Sequence, residues 1–315
     1  MNPTLEISVI LPTHDPLPDR LRRTLVGLRQ QSLPHDQWEL LLVDNASTQP
    51  EALAAMEVSW HPSGRILREP QLGLSSARAT GLSAARGAAA VFVDDDNLLA
   101  PDYLVRALEC LARNPQLGAI GGKSLPEFEI APPEWTREFF PLLALRDLGD
   151  EPVIALSLRA PGTERDEYPS CAPIGAGMAL RRAAWISWLS TRAGDSRLSD
   201  RRGKELTSGG DNDIVLCVMR AGWGIGYFPE LSLTHLVPAI RLEPGYLGRL
   251  NRGIQKSWMQ VLTLHAVNPW SPLTRFGASL RKLRAWFRCR AWNSPAARIR
   301  WEGACGHFDG RVRTR

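Results

Sequence analysis

A chain of 315 residues, 44% hydrophobic and 23% charged, has the composition of an ordinary soluble globular protein, with room for one large α/β domain and appendages. Its five cysteines are scattered and form no CxxC pair, which argues against structural zinc and for a reducing compartment. The formal charge of +5 is uneven: from Trp270 to Arg315 ten Arg and one Lys stand against Glu302 and Asp309, a local +9 that leaves the preceding body at −4.

A basic, Trp-bearing tail on a slightly acidic body suggests an anionic surface such as phospholipid, and a solvated helical face packed on the body is the plainer alternative. Nucleic acid is not the expected partner. No window reaches the length of a membrane span, and no cationic leader precedes Ile7. The expected location is therefore the cytoplasm, peripheral on the inner face of the cytoplasmic membrane.

In chain order, Glu6–Leu11 is an apolar run closed by Pro12, followed by the polar Thr13-His14-Asp15-Pro16 and then Leu21, Leu25 and Leu28 at helical spacing. Trp38–Val43 predicts a second buried strand ending in Asp44-Asn45-Ala46-Ser47, with a helix over Pro50–Val58. Arg65-Ile66-Leu67 predicts a third strand, Leu74–Arg86 a helix of small residues, and Ala89–Val93 a fourth strand. This alternation indicates a mostly parallel, doubly wound sheet.

Pro101–Arg113 predicts an amphipathic helix and Ala119–Gly122 a further strand, while Leu125–Pro169 is Pro-interrupted and without a clear period. In Pro173–Leu180 the glycines mark places where backbone passes close to something, and Arg181–Ile186 turns helical. The polar stretch Thr191–Leu206 predicts a mobile loop, Ile214–Ala221 a helix, Ile225–Phe228 a last short strand, and the chain from Tyr246 a basic helical region.

The fourth strand stops at three consecutive carboxylates, Asp94-Asp95-Asp96, followed by Asn97. Adjacent carboxylates repel one another, so they are either solvated or compensated by a cation, and hard divalent ions favour such oxygen ligands. A turn in which Asp96 or Asn97 caps the next helix is the alternative, and the residues alone leave both open. Parallel strands present their carboxyl ends on one edge, where open α/β sheets bind ligands, so Asp15, Asp44 and the aspartate triplet are expected to converge there.

This order of motifs resembles the family 2 glycosyltransferases of the GT-A fold, over roughly residues 7 to 240. Val9-Ile10-Leu11-Pro12-Thr13-His14-Asp15 is similar to the family's opening strand and turn, and Leu41-Leu42-Val43-Asp44 to the strand whose aspartate contacts the base. Gly73–Arg78 resembles the helix that supplies an arginine to the nucleotide, and Asp94-Asp95-Asp96 the DXD element. The segment Gly210-Asp211-Asn212-Asp213 with Arg220-Ala221-Gly222-Trp223 is similar to the element carrying the catalytic base, with glycine where the family often has glutamate. Thr234-His235-Leu236-Val237-Pro238 resembles a segment of a bacterial subset that builds cell-surface polysaccharides.

The resemblance implies a GT-A, Rossmann-like domain over residues 1–240, with an acceptor region at about 125–235, and a basic helical extension over 241–315. It implies an inverting glycosyltransferase that moves a sugar from a nucleotide-diphosphate donor to a glycan or lipid-linked acceptor. Asp211 would be the base; Pro12, Thr13, Asp15, Asp44, Arg78, Asp94 and Asp95 would bind the nucleotide sugar. Asp94, Asp96 and His235 would hold a divalent metal, Mg²⁺ or Mn²⁺. The rival readings are a sugar-nucleotide-binding scaffold at the membrane surface, supported by Gly210, and a sugar nucleotidyltransferase. The second calls for a glycine-rich, basic loop after the first strand, where this chain has Pro12-Thr13-His14-Asp15-Pro16.

Overall fold

The computed structural model describes residues 5–49, 58–159, 162–192 and 208–313. Four parallel strands lie side by side in the order β3 (Gly64–Glu69), β2 (Trp38–Asn45), β1 (Ile7–Thr13) and β4 (Ala89–Phe92). Helix α1 (Pro18–Arg29) connects β1 to β2, and α2 (Leu74–Ala84) connects β3 to β4. Every residue of β1, β2 and β4 is buried, which is why these strands read as unbroken apolar runs: helices cover parallel strands on both faces.

Away from the carboxyl ends of these strands, Ser8 and Glu39 are the polar exceptions, paired across the register of β1 and β2. Glu39 Oε1 accepts from Ser8 Oγ at 2.7 Å and from the Arg86 backbone N–H at 2.6 Å, while Oε2 accepts from the guanidinium groups of Arg65 and Arg86, both at 2.9 Å. Burial pushes this carboxyl group up, and the four donors outweigh it, so Glu39 titrates below the ordinary glutamate range.

Beyond β4 the sheet continues with β8 (Ala179–Arg181), β6 (Leu117–Phe128), β9 (Gly224–Val237) and β5 (Asn97–Leu99): β8 is antiparallel to β4 and to β6, and β9 is antiparallel to β5 and to β7 (Val153–Ala155). Helices α3 (Tyr103–Arg113), α4 (Arg182–Arg192) and α5 (Gly210–Arg220) belong to this half of the chain. Three expectations change here. The aspartate triplet leads into strand β5 rather than directly into a helix. The short strand expected at Ile225–Phe228 runs on to Val237, because Leu231, Leu233 and His235 are buried at every second position past Pro229. Within 125–169 the chain forms the end of β6, a 3₁₀ segment Glu134–Leu143 and β7, with Ser124 and Arg146 exchanging backbone hydrogen bonds at 2.8 and 3.0 Å. The helix expected from Pro50 lies outside the described residues up to 57, as does the polar loop from 193 to 207.

The chain forms two compact units: Met1–Glu127, Leu145–Asp195 and Ile214–Leu236 make the first, which holds the sheet, and Phe128–Ala144, Ser196–Asp213 and Val237–Arg315 make the second. The second is built on α6 (Pro244–Leu264), α7 (Arg275–Cys289) and α8 (Pro295–Gly310). Helices α6 and α8 pack backbone to backbone: a Cβ at Gly306 would lie 2.1 Å from Arg252 O, and one at Gly310 2.4 Å from Lys256 O. Arg252 joins the pair through Glu302 at 3.1 Å and Asp309 at 2.9 Å.

Candidate active site

Construction of the site begins with the register of the parallel strands. Thr13, the last residue of β1, lies beside Asp44, the penultimate residue of β2, so both reach the carboxyl edge together. Pro12 precedes Thr13 within β1, and the Thr13 hydroxyl donates across to Asp95 Oδ2 at 2.5 Å, tying the end of β1 to the triplet that follows β4. Asp15 has a left-handed backbone (φ 45), and its Oδ1 accepts from the Thr48 N–H at 2.7 Å and hydroxyl at 3.0 Å. The backbone bond from Thr48 holds the Asp15 carboxyl below its ordinary range, and the pair ties the β1 loop to the β2 loop.

Asp44 is buried, and its Oδ1 accepts the Ser47 N–H at 3.0 Å in a tight turn; its Oδ2 lies 3.8 Å from the exposed Arg68. Asn45 was not among the residues singled out from sequence. Its amide donates to the carbonyls of Glu69 and Gln71 at 3.2 and 2.8 Å and accepts from Gly73 N–H at 2.8 Å. That clamp fixes the start of α2, the helix carrying Arg78. An Asn beside a strand-ending Asp was the only signal for it.

Arg78 is buried, with one nitrogen 3.2 Å from Asp94 Oδ1 and its guanidinium centre 4.8 Å from the Phe92 ring centroid. A Cβ at Gly175 would sit 2.5 Å from that guanidinium, so glycine at 175 is what lets the loop pass over Arg78. Gly177 (φ 74) continues this loop, donating to Phe92 O at 3.0 Å.

Within the triplet, Asn97 closes the turn: its side-chain oxygen accepts from Asp94 N–H at 3.2 Å, and its amide donates to Asp96 Oδ1 at 3.2 Å. Asp94 is partly exposed, whereas Asp96 is buried. Strand β9 places buried His235 opposite Asn97, with its Nε2 3.4 Å from Asp96 Oδ2 and the Leu236 N–H 2.9 Å from Asp96 O. The structure therefore gathers Thr13, Asp44, Arg78, Asp94, Asp95, Asp96 and His235 around the carboxyl edge of the first unit. Asp211 belongs to the second unit, in the first turn of α5. There Asp213 is buried against His265 Nε2 at 2.8 Å, a partner 52 positions away that no local pattern announces.

An open α/β sheet whose parallel strands end in a carboxylate-rich edge beside a buried arginine has the arrangement in which such sheets bind ligands. The model of Glycosyl transferase family 2 matches residues 8–183, more than half of the chain, and the protein belongs to that family. Its fold is GT-A: it is similar to a mannosyltransferase from Pyrobaculum calidifontis, solved in complex with GDP-Man and Mn²⁺, with TM-score 0.55 and 20% identity over 93% of this chain and 73% of that one. Among curated proteins it is 30% identical over 112 residues to the succinoglycan biosynthesis protein ExoW of Rhizobium meliloti, covering 34% of each. It is 34% identical over 112 residues to protein y4gI of Sinorhizobium fredii, covering 35% of this chain and 12% of that protein. The matches thus span about a third of the length of the first relative and 12% of that of the second. Among the described residues, no helix is long and apolar enough to cross a membrane.

Proposed function

We propose that this transferase is an inverting enzyme that moves a sugar from a nucleotide-diphosphate donor to an acceptor hydroxyl on a glycan or lipid-linked carrier, in cell-surface polysaccharide or glycolipid synthesis at a membrane surface. Residues 1–240 are its nucleotide-sugar-binding and catalytic domain, and 241–315 its basic helical extension. The observation that carries this reading is the turn after β4. There Arg78 holds Asp94, while Asp96 faces His235 across 3.4 Å.

A carboxylate oxygen and an imidazole nitrogen so close fit a shared divalent ion, and the oxygen-rich triplet favours Mg²⁺ or Mn²⁺. Asp96 and His235 would hold it, with Asp94 beside them. When bound, such an ion supplies Lewis-acid stabilisation of the departing diphosphate. The remaining work falls to the chain. Asp44 receives the base and Arg78 the diphosphate side of the donor; Pro12, Thr13, Asp15 and Asp95 shape the floor beneath it. Asp211 accepts the proton of the acceptor hydroxyl as its oxygen attacks the anomeric carbon from the face opposite the leaving group, which inverts that centre. Asp213, anchored by His265, positions the first turn of α5.

A screen of nucleotide sugars and acceptors, read as diphosphate release, tests the reading. Release that requires an acceptor supports the transferase, and Asp211→Asn should lower turnover by about 10²- to 10⁴-fold while leaving donor binding intact. Donor binding without turnover in every combination would instead identify the scaffold that Gly210 suggests.

A further inference from the structure

Helix α7 buries one face and leaves the opposite face apolar. Ala278 and Ala285 are 2% and 8% exposed, and the carbonyl of Lys282 accepts from Trp301 Nε1 of α8 at 3.1 Å, so this face docks on the helical unit. Phe276, Leu280, Leu283 and Phe287 follow one another at spacings of four, three and four residues, which aligns them in a single stripe. They are 80%, 38%, 56% and 62% exposed. Trp292, 59% exposed, extends the stripe past the helix end, with its ring centroid 5.9 Å from that of Phe287. A row of large apolar side chains on the outer face of a helix is the reverse of the usual amphipathic pattern and marks an interaction surface.

Charge decides what covers it. No Asp or Glu occurs between Glu243 and Glu302. Arg281, Arg284 and Arg288 are exposed along one flank of the stripe, and Arg290 at its end, without an ion pair among the described residues. A second copy meeting this face by two-fold symmetry would bring these arginines together with no carboxylate of the patch between them. A bilayer with anionic headgroups satisfies both features at once, taking the rings into its acyl boundary and the guanidinium groups at its phosphates.

We propose that α7, with Trp292, is an interfacial helix that binds anionic phospholipid through this stripe. The proposal deepens the reading of a transferase working at a membrane surface and specifies the face that meets the lipid. Binding is measured without donor, acceptor or metal, so its failure and the failure of the transferase reading are separate results.

The test is co-sedimentation of the full chain with phosphatidylcholine vesicles, with and without phosphatidylglycerol. Wild-type protein should sediment with the anionic vesicles and far less with the neutral ones. Phe276→Ser with Phe287→Ser should weaken binding by at least about tenfold, because each ring loses its burial in lipid. Arg284→Gln with Arg288→Gln should weaken it about fivefold for each charge removed. All four positions are surface-exposed, and an unchanged Tm verifies folding. Wild-type protein that ignores anionic vesicles, or a double Phe variant that binds them as well as wild type, overturns the proposal. So does a dimer that the Phe variant dissolves without any vesicle binding, since the stripe would then belong to a second copy.

Discussion

Toward the amino ends of β1 and β2, Glu39 is enclosed by Ser8, the Arg86 backbone and two arginines, whereas beyond the carboxyl end of β4 three aspartates stand in consecutive positions. The first arrangement brings cations to a lone carboxylate and stabilises the fold. The second sets three like charges side by side, with Arg78 on Asp94 at 3.2 Å, and like charges so close repel one another. The same strands thus carry an enclosed acid at one end and the proposed donor site at the other, and substitutions at the two ends should separate stability from activity.

The largest effect is expected at Asp96. Asp96→Asn should lower turnover by about 10²-fold or more, since an electrostatic element at the leaving group is removed. Initial rates measure it. Glu39→Gln should act on stability instead. It leaves two arginines facing a neutral amide and should cost about 3 kcal/mol of stability in urea unfolding, with turnover near wild type below the melting range. Next in size is Gly175→Ala. Its methyl meets the Arg78 guanidinium, so donor affinity should fall by about tenfold with little change in Tm, read by titration with nucleoside diphosphates.

The smallest effect is a pH dependence. Glu39 has a folded pKa below its unfolded value near 4.5, so its contribution is complete above that pH and is lost as pH falls through the folded value. His61 is pushed down to about 4 by burial and by nearby His35, against an ordinary 6.5. A depressed histidine favours the folded state while neutral; its contribution is complete above pH 6.5 and is lost as pH falls toward 4. Stability should therefore begin to decline below about pH 6.5, and His61→Gln should flatten the part above pH 4.5.

Legibility in the sequence followed the same division. The parallel half was readable because β1, β2 and β4 are buried on both faces and show as continuous apolar runs that stop at acids. The antiparallel half was not: Pro229 and Glu230 interrupt β9 in sequence while the strand continues. The triplet was visible as a cluster of charge. Its supports were not, because Asn45 and Gly175 act through partners 24 to 97 positions away, and in the second unit His265 reaches Asp213 across 52 positions. The outward stripe of α7 was visible only as basic charge with aromatic residues. The side it faces is set by Ala278 and Ala285 docking on α8, a tertiary contact.

The central claim is that the turn after β4 is a metal-dependent diphosphate site. Isothermal titration of wild type, Asp96→Asn and Glu39→Gln with UDP, GDP, dTDP and CDP, each with and without Mn²⁺, tests it most directly. Wild type and Glu39→Gln should bind at least one nucleotide with an affinity that Mn²⁺ strengthens, and Asp96→Asn should lose that strengthening. Nucleotide binding that ignores Mn²⁺ in the wild type, or that responds to Mn²⁺ equally in Asp96→Asn, contradicts the account.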